Sequence, residues 1–395
     1  SGIEKLNSEI VQRTIQVLMD KNNNHESKDL KEDHPFQLLS PNDVLPIQKV
    51  LDIQKFSIMV FNNLNEKRSD ICSIKTTSPN VELYQMNSDG KYEAVEKDIV
   101  ETDDSFSIIF VARDIPAFGF KTYFLEYSSK MAPNIIEPTS FNDKATLKNS
   151  FLEAEVIENT LDSMRIISEG KLGSSIKVSH SHEMYHTLNN NKDGAYVFFT
   201  DGPSKRMLYN SKGFVLQGKL FREVKLSGTA SDSTSSTRLD VSYRIYNTGI
   251  EELDRFLEVT VVSDVNTDGY ARVRGNDFVS RFATSIESGK TLFTDSNSYL
   301  IQKRERDDLT NNPSRNYYPA TQAAYIRDEK VQLSLILKQT YGVSSQKDRE
   351  LEVMLARATV DDDWWGAGEP MKQDTTPSVA QFRLLLSPTT SDENI

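Results

Sequence analysis

Ile176-Lys-Val-Ser-His-Ser-His-Glu-Met-Tyr-His-Thr-Leu188 is the stretch on which the fold turns. Inside it, His182-Glu183-Met184-Tyr185-His186 matches H-E-x-x-H, the signature of zinc proteases. That chemistry needs a helix, where residues four apart share a face and both imidazoles reach one zinc while the glutamate activates water. The flanks speak for a strand instead. β-Branched residues crowd the segment's ends, Gly173 precedes it, and Asn189-Asn190-Asn191 follows. On a strand His182 and His186 share a face but lie about 13 Å apart, at roughly 3.3 Å per residue. One zinc, with ligands near ~2 Å, cannot hold both. Glu183 then points to the opposite face, and the segment is expected to be a half-exposed strand. His180 and His182, two apart, are spaced for a shared metal, but the sequence offers no evident third ligand.

Strand signals continue on both sides. Leu152–Ile157, Tyr196–Thr200, Leu239–Tyr246, Leu257–Val262, Val331–Leu337 and Phe382–Leu386 are short runs rich in β-branched and aromatic residues, separated by turn residues. No long helical periodicity interrupts them. A large antiparallel β-sandwich is expected over 136–395. Upstream, Phe56–Phe61, Val81–Gln85, Ser105–Val111 and Lys121–Tyr127 flank a turn at Pro116 and Gly119, which predicts a small β-sandwich over 46–135. The first 45 residues differ. Ile3, Leu6, Ile10, Thr14 and Leu18 fall on one helical face, and Ser1 with Glu4 fits a capping box. A packing helix over 1–20 and a polar, proline-broken linker to residue 45 follow. The fold class is mainly β: an N-terminal helix, a small sandwich, then a large one.

Composition sets the outer bounds. A chain of 395 residues is too long for one ordinary core. Its net charge of −12 repels phosphate and disfavours nucleic-acid binding. No apolar run is long enough to span a membrane as a helix. Cys72 is the single cysteine, so no intrachain disulfide forms; it is expected to be a buried free thiol. Asn312-Pro313-Ser314 is the nearest approach to a glycosylation acceptor and its proline blocks it. Residue 1 is Ser with no signal segment after it, as expected of a processed product or a fragment of a longer chain.

Asp361-Asp362-Asp363 followed by Trp364-Trp365-Gly366 is the remaining unusual cluster. Clustered carboxylates suit calcium, but an exposed acidic turn explains them as well. Adjacent tryptophans suit either a sugar-contacting platform or packing between domains.

Several segments resemble, in order, the C-terminal half of Golgi- and lysosomal-type (class II) α-mannosidases, glycoside hydrolase family 38. Ile115-Pro-Ala-Phe-Gly-Phe-Lys-Thr-Tyr123 is similar to the family's IPxLGxxxY turn, and Leu147-Lys-Asn-Ser-Phe151 to its LENSF. Asp193-Gly-Ala-Tyr-Val-Phe-Phe-Thr-Asp-Gly202 resembles SGAYLFxPxG, and Phe293–Arg304 resembles FYTDxNGxxIQxR. Asn316–Pro319, Ala324–Asp328, Gly342–Ser345, Leu351–Leu355 and Phe382–Leu386 follow in family order. Departures occur at Leu355-Ala-Arg-Ala358, where the family has LDRR, and at Trp364-Trp365, which put any binding role of that last loop in doubt.

The resemblance implies a galactose-mutarotase-like large sandwich and a retaining mannosidase acting on N-glycans in the secretory pathway, Golgi or lysosome. It implies two catalytic carboxylates about 5 Å apart. It also implies that these carboxylates and a zinc cofactor reside in an N-terminal α/β barrel that precedes Ser1, leaving this chain without catalytic or metal residues of its own and inactive alone. The partners implied are that barrel and mannose-containing glycans. By motif position, Tyr196 matches the tyrosine that hydrogen-bonds substrate, and Arg304 matches an arginine facing the active site. A core tyrosine and a surface arginine in a salt bridge are the plainer alternatives. The competing functional class is a non-catalytic β-sandwich scaffold or carbohydrate-binding module.

Overall fold

The computed structural model describes residues 43–45, 55–128, 133–168, 171–186, 194, 196–232, 236–264, 276–309, 312–359 and 376–389. The expected helix over 1–20, the linker after it and the Asp361–Trp365 cluster lie outside the described residues. Two compact units divide the chain, Ser1–Glu137 and Pro138–Ile395.

In the first unit, a five-stranded sheet runs in the order Val44–Leu45, Arg68–Thr76, Phe106–Ile115, Lys97–Glu101, Ile135–Ile136. A four-stranded sheet runs Lys55–Phe61, Phe120–Tyr127, Val81–Met86, Tyr92–Ala94. Residues two apart make the core: Ile108, Phe110 and Ala112 from the first sheet join Leu83, Tyr123 and Leu125 from the second. Phe110 and Tyr123 meet with ring centroids 5.0 Å apart. Asn62 fixes the turn after Ile115. Its amide nitrogen donates to the carbonyls of Ile115 and Pro116 at 3.2 and 3.0 Å. Cys72 is free but half-buried, not fully buried as expected. Its surroundings still push the thiol up to about 12, because burial disfavours the thiolate.

In the second unit, a ten-stranded sheet has the order Thr139–Phe141, Leu208–Gln217, Phe221–Ser231, Ser236–Tyr246, Leu257–Ser263, Ser378–Pro388, Val331–Leu337, Ala323–Arg327, Thr291–Ser296, Leu300–Glu305. The opposing sheet runs Lys144–Lys148, Leu152–Ile157, Thr160–Ser168, Lys171–His186, Asn276–Thr284, Glu350–Ala358, Tyr341–Ser344, Tyr317–Ala320, with Lys205–Arg206 pairing beside Lys171–His186. Every pairing described in this unit is antiparallel. The fold is mainly β, as the sequence predicts.

The alternation expected of Leu239–Tyr246 is realised. Leu239, Val241, Tyr243 and Ile245 are buried, and they pack with Val224, Leu226, Val259, Phe382 and Leu384 against Met164, Val178, Phe278 and Phe282. Each such side chain contributes about 1.5–3 kcal/mol by leaving water. Phe382→Ala would open a cavity costing about 3–5 kcal/mol.

Two expectations about the second unit need correction. The segment over 176–186 is a strand, but it is not half-exposed. His182 through His186 are all buried, because both faces are covered. The even-numbered side chains enter the sandwich core; Glu183 and Tyr185 lie beneath other polar groups on the far side. The second correction concerns Tyr196–Thr200, which is a loop with a single bridge at Thr200 and no strand. Its Phe198 packs as a loop anchor rather than in a ladder.

Candidate functional site

The register of three neighbouring strands builds the site. Asn276–Thr284 lies between Lys171–His186 and Glu350–Ala358, so Arg281 stands opposite Ser181 on one side and Glu352 on the other. Glu183 is the diagonal neighbour, within reach of a long side chain. Arg281 Nη1 meets Glu183 Oε2 at 2.6 Å. Its Nε donates to Glu352 Oε2 at 2.7 Å, and its Nη2 pairs with the same oxygen. Nη2 also donates to Ser204 Oγ at 2.7 Å, and Ser204 Oγ donates to Glu183 Oε2 at 2.5 Å. Glu350 stands 3.6 Å from Arg281 Nε. The other oxygen of Glu352 accepts the hydroxyl of Tyr185 at 2.9 Å and that of Tyr317.

One guanidinium thus faces three carboxylates. Burial pushes the Glu352 carboxyl above its usual range, and Arg281 with the tyrosine hydroxyls works against that rise. Burial and then the Glu352 charge push the Tyr317 hydroxyl far up, so it remains a donor. Glu352 has no exposed surface and both oxygens are engaged. A retaining glycosidase needs two carboxyl groups that touch the sugar. Glu352 meets none of that requirement, so the cluster is a scaffold for what lies above it.

Above it lies the loop carrying Tyr196. Phe198 packs edge-on against Tyr185 and Tyr317, with centroids at 5.4 and 5.2 Å. Arg357 Nη2 donates to the Val197 carbonyl at 3.2 Å, and its Nε holds Asp277 at 2.6 Å. Asp201 N donates to the His186 carbonyl at 2.9 Å, and Ser204 closes the loop on Glu183. Tyr196 itself is 67% exposed, so it is not a core tyrosine. Its loop is pinned while its ring faces solvent.

Arg304 sits on the edge strand Leu300–Glu305. Its Nε donates to Thr294 Oγ1 at 3.1 Å, and its guanidinium lies 4.8 Å above the Tyr318 ring. It stacks on an aromatic face where a surface ion pair was the plainer expectation. Beside it, Asp295 organises the chain turns. Burial works against its charge, but the amides of Ala323, Gln322, Ser298 and Thr321 outweigh this and hold the carboxyl below its usual range. The connection between the two candidate residues runs through consecutive tyrosines: Tyr317 meets Phe198 on the Tyr196 loop, and Tyr318 meets Arg304. A cleft of about 910 Å³ opens over Arg281 and Ser204, with Asp307, Asp308, Asn312 and Lys347 on its walls.

The histidines do different work. His180 Nδ1 bonds Tyr243 at 2.7 Å and Nε2 bonds Ser280 at 2.9 Å, so both ring nitrogens are engaged. His186 bonds Asn276 and Asp232. Among the described residues no three His, Cys, Asp or Glu side chains gather to hold a metal. The H-E-x-x-H segment is extended and both ring nitrogens of His186 are engaged, so although the buried Nε2 of His182 has no partner, the segment does not gather the ligands of a zinc ion.

Arg281, Glu352, Ser204, Tyr317 and Arg357 were not singled out from the sequence. Arg281 and Glu352 are 71 positions apart, and no local pattern links them. The one usable signal was the strand reading of the histidine segment, which turned Glu183 away from the core.

Residues 147–364, more than half of the chain, match the family model described as "Glycosyl hydrolases family 38 C-terminal domain". The chain is 28% identical over 372 residues to "Alpha-mannosidase 2" of Homo sapiens, covering 87% of this chain and 31% of that protein. It is 28% identical over 357 residues to "Lysosomal alpha-mannosidase" of Cavia porcellus, covering 84% and 33%. The chain therefore spans about a third of the length of these curated relatives. Among solved structures, an alpha-mannosidase from Enterococcus faecalis aligns with a TM-score of 0.53 at 12% identity, over 85% of this chain and 43% of that one, a likeness of fold.

Proposed function

The chain belongs to the glycosyl hydrolase family 38 C-terminal domain family, and on that premise we propose that it is the C-terminal portion of an α-mannosidase. The whole enzyme hydrolyses α-mannosides of N-glycans with retention of configuration. Its two catalytic carboxylates and its zinc ion belong to an N-terminal barrel supplied from outside this chain, and the chain alone is inactive. The enzyme works in the secretory pathway, in Golgi or lysosome.

This chain's part is to present Tyr196 and Arg304 to the sugar. The observation that carries this reading is the anchoring of the Tyr196 loop. Phe198, Val197 and Ser204 are each tied to the sheet, while the Tyr196 ring stays 67% exposed. A donor held in place before substrate arrives loses little freedom on binding. Arg304, flattened on Tyr318, offers a second preset donor.

The test is reconstitution of this chain with its N-terminal partner and assay on an aryl α-mannoside, following the anomer released by NMR. Cleavage with retention, absent from either part alone, supports the proposal. An intact assembly that cleaves no α-mannoside, or cleaves with inversion, sinks it. Binding of mannose-rich glycans by this chain alone would favour the carbohydrate-binding module instead.

A further inference from the structure

At one end of the large sandwich, Arg222 is placed where a hydrophobic residue would be expected. On the strand Phe221–Ser231, Val224 and Leu226 point into the core, and Arg222 lies on the same face two residues earlier. Its register partners are Gln217 and Ile245. The Nε of Arg222 is buried and has no hydrogen-bond partner. No carboxylate among the described residues pairs with its guanidinium. Leaving such a donor unsatisfied is costly, and charged donors more so.

A small pocket of about 140 Å³ opens beside it. Lys148, Lys219 and Arg222 line it, together with Ser150, Gln217 and Asn247. None of its lining residues is acidic, although acidic residues outnumber basic ones by 58 to 46 in the whole chain; the Lys148 ammonium also pairs with Glu153, outside the lining, at 2.8 Å. The pocket joins the two sheets. Lys148 ends the strand Lys144–Lys148 of one sheet, and Arg222 is the second residue of the strand Phe221–Ser231 of the other. Asn149 keeps the intervening turn rigid. Its amide nitrogen donates to the carbonyls of Tyr246 and Asp254, and its oxygen accepts the amides of Phe151 and Leu152.

We propose that this pocket is a binding site for a small tetrahedral oxyanion, phosphate or sulfate, held by Arg222 with Lys219 and Lys148. Size and charge choose the ligand. At about 140 Å³ the pocket admits a five-atom oxyanion, and its lining of cationic and neutral hydrogen-bonding groups suits a negative charge. A guanidinium fork suits the paired oxygens of such an ion. The anion satisfies the orphaned Nε of Arg222. Because its ligands come from both sheets, it staples the sandwich at this end.

The experiment measures the thermal midpoint of the full chain against inorganic phosphate and, separately, sulfate, with calorimetric titration of the same ions. Both anions also stabilise proteins generally by exclusion from the surface, which gives a rise that does not saturate. The site predicts a saturable rise added to that slope, and a calorimetric isotherm of matching affinity. In Arg222→Gln the affinity falls at least about tenfold, and Arg222→Lys falls between the two. A sugar phosphate ester tested alongside separates the free ion from a terminal phosphate group as the source. Either source supports the site, since both present the same oxyanion. A wild-type response that never saturates, with no heat of binding, overturns the proposal whatever the variants do. So does a saturable response left intact in Arg222→Gln.

Discussion

Arg357 donates from Nη2 to the carbonyl of Val197 at 3.2 Å, so a side chain on the strand Glu350–Ala358 fixes the backbone next to Tyr196. The same guanidinium neutralises Asp277, whose side chain has no exposed surface, and lies over the Phe198 ring at 5.5 Å. Replacing Arg357 with Met therefore removes a loop anchor and strands a buried carboxylate. Destabilisation of about 3–5 kcal/mol is expected, read from the urea midpoint. Asp277→Asn in the same chain should restore much of the stability but not the loop anchor.

Arg281 should be the most sensitive charge in the larger unit. Arg281→Met leaves Glu183 and Glu352 buried without a counter-charge, at an expected cost of about 3–5 kcal/mol. The pair Arg281→Met with Glu352→Gln should be more stable than Arg281→Met alone. If the two changes simply add in denaturant unfolding, the described coupling is wrong.

The core histidines predict acid sensitivity. Burial lowers the His182 ring from 6.5 to about 3, and burial with His182 beside it lowers His180 as well. In the unfolded chain these rings take protons near 6.5, so the unfolded state binds protons first. Their contribution is intact above pH 6.5 and is lost as pH falls toward 3. At pH 5, His182 alone costs about 2 kcal/mol. The His182→Phe variant, stacking on Phe278 in the same place, should show a flatter stability profile between these limits.

Tyr196→Phe should leave the thermal midpoint of this chain unchanged within about 0.5 kcal/mol, since the ring is largely exposed. In the reconstituted enzyme it should lower kcat/KM by up to about tenfold, the worth of one hydrogen bond. Arg304→Ala should cost this chain about 1 kcal/mol through loss of the Thr294 bond and the Tyr318 stack. Equal losses of stability and activity in Tyr196→Phe would reduce that residue to a structural role.

Gly228 lies on the strand Phe221–Ser231, opposite Ser211 of the neighbouring strand. A Cβ there would stand 2.0 Å from the Asn210 carbonyl oxygen, so Gly228→Ala must push the backbones apart. Thermal unfolding should show a loss of about 1–3 kcal/mol.

The strands were legible because burial on one face writes a period of two into the sequence, as at Leu239, Val241, Tyr243 and Ile245. The same logic failed at Tyr196–Thr200, where Phe198 is apolar because it wedges between Tyr185 and Tyr317. At His182–His186 the pattern was helical on paper and extended in space, and chain geometry decided between them. The anchor residues stayed invisible for a different reason. Arg281, Glu352 and Arg357 meet across strands brought together by topology, and nothing local in sequence encodes that meeting.

The strand Ser378–Pro388 sits in the interior of the ten-stranded sheet, between Leu257–Ser263 and Val331–Leu337. A ribosome delivers the chain from the other end, at about 5–20 residues each second. For the ~40 residues of synthesis between Leu337 and Ser378, both neighbouring strands wait with an unpaired backbone edge turned toward the gap. A stop codon or a proteolytic cut just before Ser378 would make that wait permanent and leave two sticky edges. Frameshifts and late truncations should thus send this chain to aggregation and quality control, even though every candidate sugar-contacting residue has already been made.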